Sequence, residues 1–227
     1  KDKIRVSNWG YGYGSYGSSM SPSFSSTRLS LINRDIIWVT THIRGGMERG
    51  MKWWKEGKLT NKKNTFEDYI FAAKYLIDNK YSSKGKIIGM GGSAGGHLAL
   101  MGGLLQNNHL FDSNCSGVEN VKVAAIIDKY GIADVNDWAY GPYIKSKSAT
   151  NWLGAKKDDQ EFIKSVSPIH WVKKTSPPVF IVHGDADPTV PYQESVALHA
   201  ALVAAGVKTE FITIPGGLHG KFDKDQN

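Results

Sequence analysis

At 227 residues, with 41% apolar content, the chain can bury the core of one domain without help from metals or disulfides. Its lone cysteine, Cys115, excludes an internal disulfide and a cysteine-based metal cluster, and no apolar run is long enough to span a bilayer. The net charge of +7 gathers partly between Lys52 and Lys63 around Trp53 and Trp54, but no nucleic-acid-binding module accompanies it, so that run reads as a solvated loop whose tryptophans pack inward.

The first predicted strand, at 4–9, alternates weakly and runs into a glycine and tyrosine loop that holds Tyr11, Tyr13 and Tyr16. A serine-rich stretch at 18–26 leads to a short helix at 27–33, and 35–43 reads as strand because β-branched residues are frequent there. Thr65 is placed to cap a helix at 65–79, in which Phe66, Tyr69, Ile70, Ala73, Leu76 and Ile77 form an apolar stripe at helical spacing. The next strand, 86–90, empties into Gly91-Gly92-Ser93-Ala94-Gly95.

That pentapeptide reads as a nucleophile elbow. A serine hydroxyl is a weak nucleophile at neutral pH, so it must project from a tight turn that a base and a carbonyl can both reach. Glycine two residues before and after Ser93 leaves room for the neighbouring strand and helix and tolerates unusual backbone angles. The helix that follows, running to about residue 106, points its free N–H groups back at the serine, which makes the Ala94 N–H an oxyanion donor.

Beyond it lie a strand at 121–127 and an irregular, aromatic-rich stretch at 133–171 that reads as a small cap or a set of loops over the site. A buried strand at 178–184 opens into Asp185 and Asp187. A helix at 191–205 starts beside Pro191 and stops at Gly206, and a strand at 210–215 ends just before His219. An acid and a histidine thus each follow a strand end, where open parallel sheets place their sites, and the chain order Ser, Asp, His is that of the α/β-hydrolases. The expected triad is Ser93, Asp187 and His219. Asp187, further along its loop, turns more readily toward the histidine, and Asp185 stays open as the alternative.

Strands alternating with helices predict one α/β domain over 1–227, an α/β-hydrolase fold with a mostly parallel, doubly wound sheet and helices on both faces. A dinucleotide-binding reading of the same glycines fails for want of an acidic residue closing a strand about 20 residues on. His42, His109, His170 and His199 have no partner at metal-ligand spacing, His97 reads as a packing or hydrogen-bonding residue and His183 as a structural one, so neither metal nor organic cofactor is expected. Residues 1–5 lack the apolar stretch of a secretory signal, which favours a cytoplasmic setting.

Two resemblances divide the chain. Tyr11-Gly12-Tyr13-Gly14-Ser15-Tyr16-Gly17, His42-Ile43-Arg44-Gly45-Gly46-Met47-Glu48, Gly57-Lys58-Leu59 and Lys63-Asn64-Thr65-Phe66 resemble the peptidase domain of the prolyl oligopeptidase family, oligopeptidase B in particular, over about 11–96. Gly95-Gly96-His97-Leu98-Ala99, Tyr130-Gly131 with Asp134, Trp152-Leu153-Gly154, Ser167-Pro168, His183-Gly184-Asp185-Ala186-Asp187 and Gly216-Gly217-Leu218-His219-Gly220 are similar to bacterial carboxylesterases of the feruloyl and acetyl-xylan esterase type, over about 93–222. The resemblance to the peptidases implies that Tyr13 O–H joins Ala94 N–H in the oxyanion hole and that Tyr16 lines the acyl pocket. The His-Gly-Gly-Gly loop usual in the esterases is missing.

Measured against both families, no β-propeller precedes the hydrolase part, two initial strands are missing ahead of Tyr11, and the chain ends at Asn227 where a further helix is expected. A mosaic, natural or engineered, or a fragment is the expectation. The leading function is carboxylic-ester hydrolysis through an acyl-enzyme, on a small-molecule or polysaccharide-linked ester. Oligopeptide cleavage and a non-catalytic binding module are the alternatives. Neither nucleic acid nor membrane is an expected partner.

Overall fold

In a computed structural model of the chain, residues 8–105, 108, 110, 122–143 and 147–222 are described. Cys115, His109 and the start of the first predicted strand lie outside them, as do residues 106 and 121 at predicted element ends.

Six strands form one sheet: β1 (Asn8–Tyr11), β2 (Ile37–Thr40), β3 (Ile87–Gly92), β4 (Val123–Lys129), β5 (Val179–Gly184) and β6 (Thr209–Ile214). Their spatial order is β2-β1-β3-β4-β5-β6, and every pairing among them is parallel. The strand expected over 35–43 is shorter than its composition suggested: β1 ends at Tyr11, whose carbonyl accepts the Thr41 N–H at 2.9 Å, and beyond that bond the chain turns into the Arg44-Gly45-Gly46 loop.

The helices are α1 (Ser26–Ile32), α2 (Met51–Lys55), α3 (Lys63–Asp78), α4 (Ala94–Leu104), α5 (Val135–Tyr140), α6 (Ser148–Leu153), α7 (Gln160–Ser165) and α8 (Tyr192–Ala204). The step from β1 to β2 runs one way across the sheet and all later steps run the other. Right-handed crossovers therefore put α1 on one face and α3, α4 and α8 on the opposite one. α1 packs on β2, α3 lies beside α4, and α8 covers β5 and β6.

α4 is apolar all round, as a helix buried on every side must be, and its residues enter both halves of the core. Leu98 and Met101 pack with Phe66, Trp138, Leu153 and Ile163 under the cap, while Leu100 and Leu104 pack with Ile126, Ile181, Leu198 and Leu202 between sheet and α8. The 133–171 stretch resolves into α5, α6, α7 and short 3-10 turns, seated on the core through Trp138, Ala149, Leu153 and Ile163.

Two local expectations are corrected. Thr65 does not cap α3: the helix begins at Lys63, and Thr65 is buried in its first turn with its hydroxyl donating to the Arg44 carbonyl at 2.7 Å. The basic run is not an open loop. It holds α2 and a 3-10 turn, the Arg49 guanidinium and Lys58 ammonium stand over the Trp53 and Trp54 rings, and Lys62 is buried.

Candidate active site

The sheet order reverses where β1 and β3 lie side by side, and in open α/β sheets the crevice at such a point, beyond the strand C-termini, holds the site. β1 delivers the Tyr13 loop there and β3 delivers Ser93.

Ser93 has φ +56° and ψ −122°, backbone that a non-glycine residue adopts only when its surroundings force it. The force comes from its neighbours. A side chain at Gly91 would overlap the Gly95 carbonyl, and one at Gly95 would place its Cβ 2.6 Å from the Gly12 carbonyl oxygen and 3.8 Å from the Tyr13 Cα. Strand, helix and Tyr13 loop therefore meet at glycine contacts that no other residue permits. The Ser93 N–H donates to the Lys129 carbonyl at 2.9 Å, which ties the turn to β4.

Around the serine, His219 Nε2 is 2.9 Å from Ser93 Oγ, and His219 Nδ1 is 2.7 Å from Asp187 Oδ2. Asp187 Oδ1 accepts the N–H groups of Thr189 at 2.7 Å and Val190 at 3.0 Å. Burial pushes the Asp187 carboxyl up, but the His183 ring beside it and hydrogen bonds from His219 and those two backbone N–H groups outweigh it and hold the group well below the usual carboxylate range. Asp187 is thus a fixed anion on the outer nitrogen of His219, which leaves Nε2 facing Ser93 as the proton acceptor. Asp185, the alternative acid, points elsewhere: its Oδ1 accepts the Gly216 N–H at 2.7 Å and so braces the loop that carries His219.

The Ala94 N–H sits in the first turn of α4, where a backbone donor has no partner within the helix. Gly12 and Gly14 lie against Thr41 and Ile43 beyond β2, Thr65 of α3 and Leu98 of α4, and so fix Tyr13 beside the elbow. The Tyr13 and Tyr16 rings are 6.5 Å apart and tilted, and Tyr16, 58% exposed, lines a narrow pocket beside Ala94 as well as a wider cleft next to it. The six candidate site residues are therefore brought to one end of the sheet.

Four further residues that the sequence did not single out as site residues stand at the site: His183, Tyr130, Lys62 and His97. His183 is fully buried, with Nε2 3.3 Å from Asp187 Oδ2 and Nδ1 2.8 Å from Ser195 Oγ. Nε2 faces the carboxylate at ion-pair distance without an aligned hydrogen bond, and Nδ1 shares a hydrogen bond with the Ser195 hydroxyl. His183 is thus a second ring on the acid and more than a packing residue. Its position four residues ahead of Asp187, at the end of β5, was the available signal. Tyr130, at φ +46°, sets its ring edge-on to His219 with centroids 4.9 Å apart. Lys62 donates to the Gly14 carbonyl at 2.6 Å and to Ser15 Oγ at 2.9 Å, pinning the loop just after Tyr13, and burial pulls its ammonium down to about 7. His97 lines the pocket beside Ala94. Among the described residues, no group of three or more His, Cys, Asp or Glu side chains could hold a metal ion.

Fold and site together define an α/β-hydrolase carrying the Ser–His–Asp arrangement of a serine hydrolase. The chain belongs to the BD-FAE family, whose model matches residues 62–202, more than half of its length. It is 38% identical over 209 residues to Protease 2 of Moraxella lacunata, a match that spans 90% of this chain and 28% of that protein. Its fold superposes on oligopeptidase B from Leishmania major with a TM-score of 0.81 at 26% identity, across 94% of this chain and 29% of that one. A truncated carbohydrate esterase from gut microbiota gives a TM-score of 0.76 at 25% identity, across 97% of this chain and 81% of that one. The chain therefore spans little more than a quarter of the peptidases and most of the esterase. The BD-FAE match begins at Lys62, well ahead of Ser93, and the match to Protease 2 covers 209 of the 227 residues, so the two similarities overlap over most of 62–202.

Proposed function

We propose that this chain hydrolyses carboxylic esters through a covalent acyl-enzyme on Ser93. The observation that carries the reading is the position of His219, within hydrogen-bond reach of Ser93 Oγ on one side and of ionised Asp187 on the other. In the first half-reaction Nε2 takes the Ser93 proton as Oγ attacks the ester carbonyl, and the same proton then passes to the departing alcohol. In the second, Nε2 takes a proton from water, hydroxide adds to the acyl carbonyl, and the proton returns to Ser93 as the acid leaves. Asp187 stabilises the imidazolium that forms in each half. Ala94 N–H and Tyr13 O–H are the proposed donors to the tetrahedral oxyanion. The ester is on a small molecule or attached to a polysaccharide, with its acyl group entering the pocket beside Ala94.

A second reading, cleavage of short peptides, is favoured by the 38% identity to Protease 2 and by the Tyr13 loop. The chemistry at Ser93 is the same, and the difference lies in whether His219 can drive off an amine. An N-acyl amino acid ethyl ester and the matching p-nitroanilide, assayed with the wild type and Ser93→Ala, separate the two. Ester turnover that Ser93→Ala abolishes, with no anilide turnover, is the expected result. Comparable turnover of the anilide overturns the ester preference, and ester turnover that survives Ser93→Ala overturns the mechanism.

A further inference from the structure

We propose that the small pocket beside Ala94 takes the hydroxyl of a short aliphatic hydroxyacyl group, which His97 and Lys62 read together; this assignment rests on the ester-hydrolase reading above.

The pocket has Ala94 at its rim and hydrocarbon on most of its walls, from Phe66, Leu98, Trp138 and Trp152. His97 and Lys62 interrupt that lining, together with the Ser15, Tyr16 and Thr65 hydroxyls. His97 is 4% exposed and Lys62 5% exposed. His97 Nδ1 is 3.0 Å from the Ile132 carbonyl oxygen. A carbonyl can only accept, so Nδ1 carries the proton and Nε2 carries a lone pair. That Nε2 is shut from solvent and has no hydrogen-bond partner. The ring is held between Phe66, at a centroid distance of 5.9 Å, and Trp152, edge-on at 5.7 Å. Burial, with the nearby Lys62 charge adding to it, pushes the imidazole down to about 4, so it stays a neutral acceptor at neutral pH.

Lys62 brings the complementary group. In its protonated form the amine has three N–H bonds, and Gly14 O and Ser15 Oγ take two of them. Among the described residues, none that lines the pocket is acidic. The lining thus offers an unpartnered buried acceptor in His97 Nε2 and a remaining N–H on Lys62, beside the Ser15, Tyr16 and Thr65 hydroxyls.

A buried acceptor with no partner is a standing cost unless something arrives to donate to it. A hydroxyl is the smallest group that donates to His97 Nε2 while accepting from Lys62, and a methyl in its place does neither. The free space is about 10 Å³, roughly the room for one water molecule. It adjoins a cleft of about 320 Å³ that shares Ser15, Tyr16, Lys62 and Trp152. A hydroxyl fits the inner hole and the cleft takes whatever extends past it.

The test compares p-nitrophenyl 3-hydroxybutyrate with p-nitrophenyl 3-methylbutyrate, in which a methyl replaces the hydroxyl at nearly equal volume. Each kcat/KM is divided by the ester's own hydroxide-catalysed rate. The expected result is a preference of at least tenfold for the hydroxy ester, within the range a hydrogen-bonding site gives over its unpaired analogue. That preference should fall to near unity in His97→Phe and shrink in Lys62→Met. A ratio near one in the wild type overturns the proposal on its own, whether or not the variants fold, and means that water satisfies Nε2. A preference that survives intact in folded His97→Phe also overturns it. Should neither ester turn over, the ester-hydrolase reading falls, and binding of the two ethyl esters to Ser93→Ala, followed by NMR, decides the pocket separately: tighter binding of the hydroxy ester sustains the assignment and equal binding overturns it.

Discussion

Gly91 and Gly95 touch across the turn that carries Ser93, so closely that a methyl on Gly91 would overlap the Gly95 carbonyl. Two residues earlier in the same strand, a Cβ on Gly89 would meet nothing nearer than the Tyr69 hydroxyl at 3.6 Å. Gly91→Ala should therefore cost ~3 kcal/mol of stability, or distort the turn and lose activity, while Gly89→Ala is tolerated. Urea unfolding of the two variants, with ester turnover alongside, checks the contrast.

The two aspartates after β5 should separate by orders of magnitude. Asp187→Asn removes the anion on His219 Nδ1, and kcat/KM should fall by about 10⁴. Asp185→Asn keeps a side-chain oxygen for the Gly216 N–H and should stay within a few-fold of the wild type. Steady-state kinetics on one ester suffices. Equal losses would mean that the loop, and not the Asp187 charge, is what matters.

Tyr13→Phe tests the oxyanion assignment. A donor that acts only when the tetrahedral centre forms lowers kcat and leaves KM nearly unchanged. The expected loss in kcat is about 10² to 10³, the usual effect of removing one such donor. A variant with full kcat would assign Tyr13 to packing against Tyr16.

His183 acts through Asp187, so His183→Gln should lower kcat about tenfold with KM within twofold. Ser195→Ala, which removes the group on His183 Nδ1, should give a smaller loss in the same direction. An effect on KM instead of kcat would contradict a positioning role.

Stability should also report on Asp128, whose Oδ1 accepts the Gly131 N–H at 3.0 Å while its Oδ2 is buried without a partner. Burial raises this carboxyl from 3.8 to about 7, so between those values the folded chain holds a proton that the unfolded chain has released. Its contribution therefore falls as pH rises from about 4 to about 7 and stays flat above that. Asp128→Asn keeps the acceptor and cannot ionise. The urea midpoint of the variant relative to the wild type should rise across that window and then level off.

How far the sequence alone carried varied with the kind of signal. β5 and α8 are found within a residue or two of their expected limits, because an apolar run is bounded by Pro178 and Gly184, and the helix by Pro191 and Gly206. The elbow was legible because its glycines record a steric demand. Lys62 was not, since it stands among exposed lysines of the same type and only the fold turns it inward. The short helices of the cap were hidden for a related reason: six-residue helices such as α6 and α7 carry less than two turns of periodicity. The choice between Asp185 and Asp187 depended on how one loop curls, which residue spacing does not encode.

All six strands point the same way, and this gives the molecule a working end and an idle end. Lengthening a connection that leaves a strand tip adds groups around Ser93, whereas lengthening one that enters a strand base adds bulk about a strand's length away. A chain similar to peptidases and to an esterase over nearly all its length can therefore keep one sheet that aims Tyr13, Ser93, Asp187 and His219 at a common point. The polarity of the sheet, more than either likeness, keeps the site assembled, and new recognition loops can be grafted at the working end without redesigning the frame beneath them.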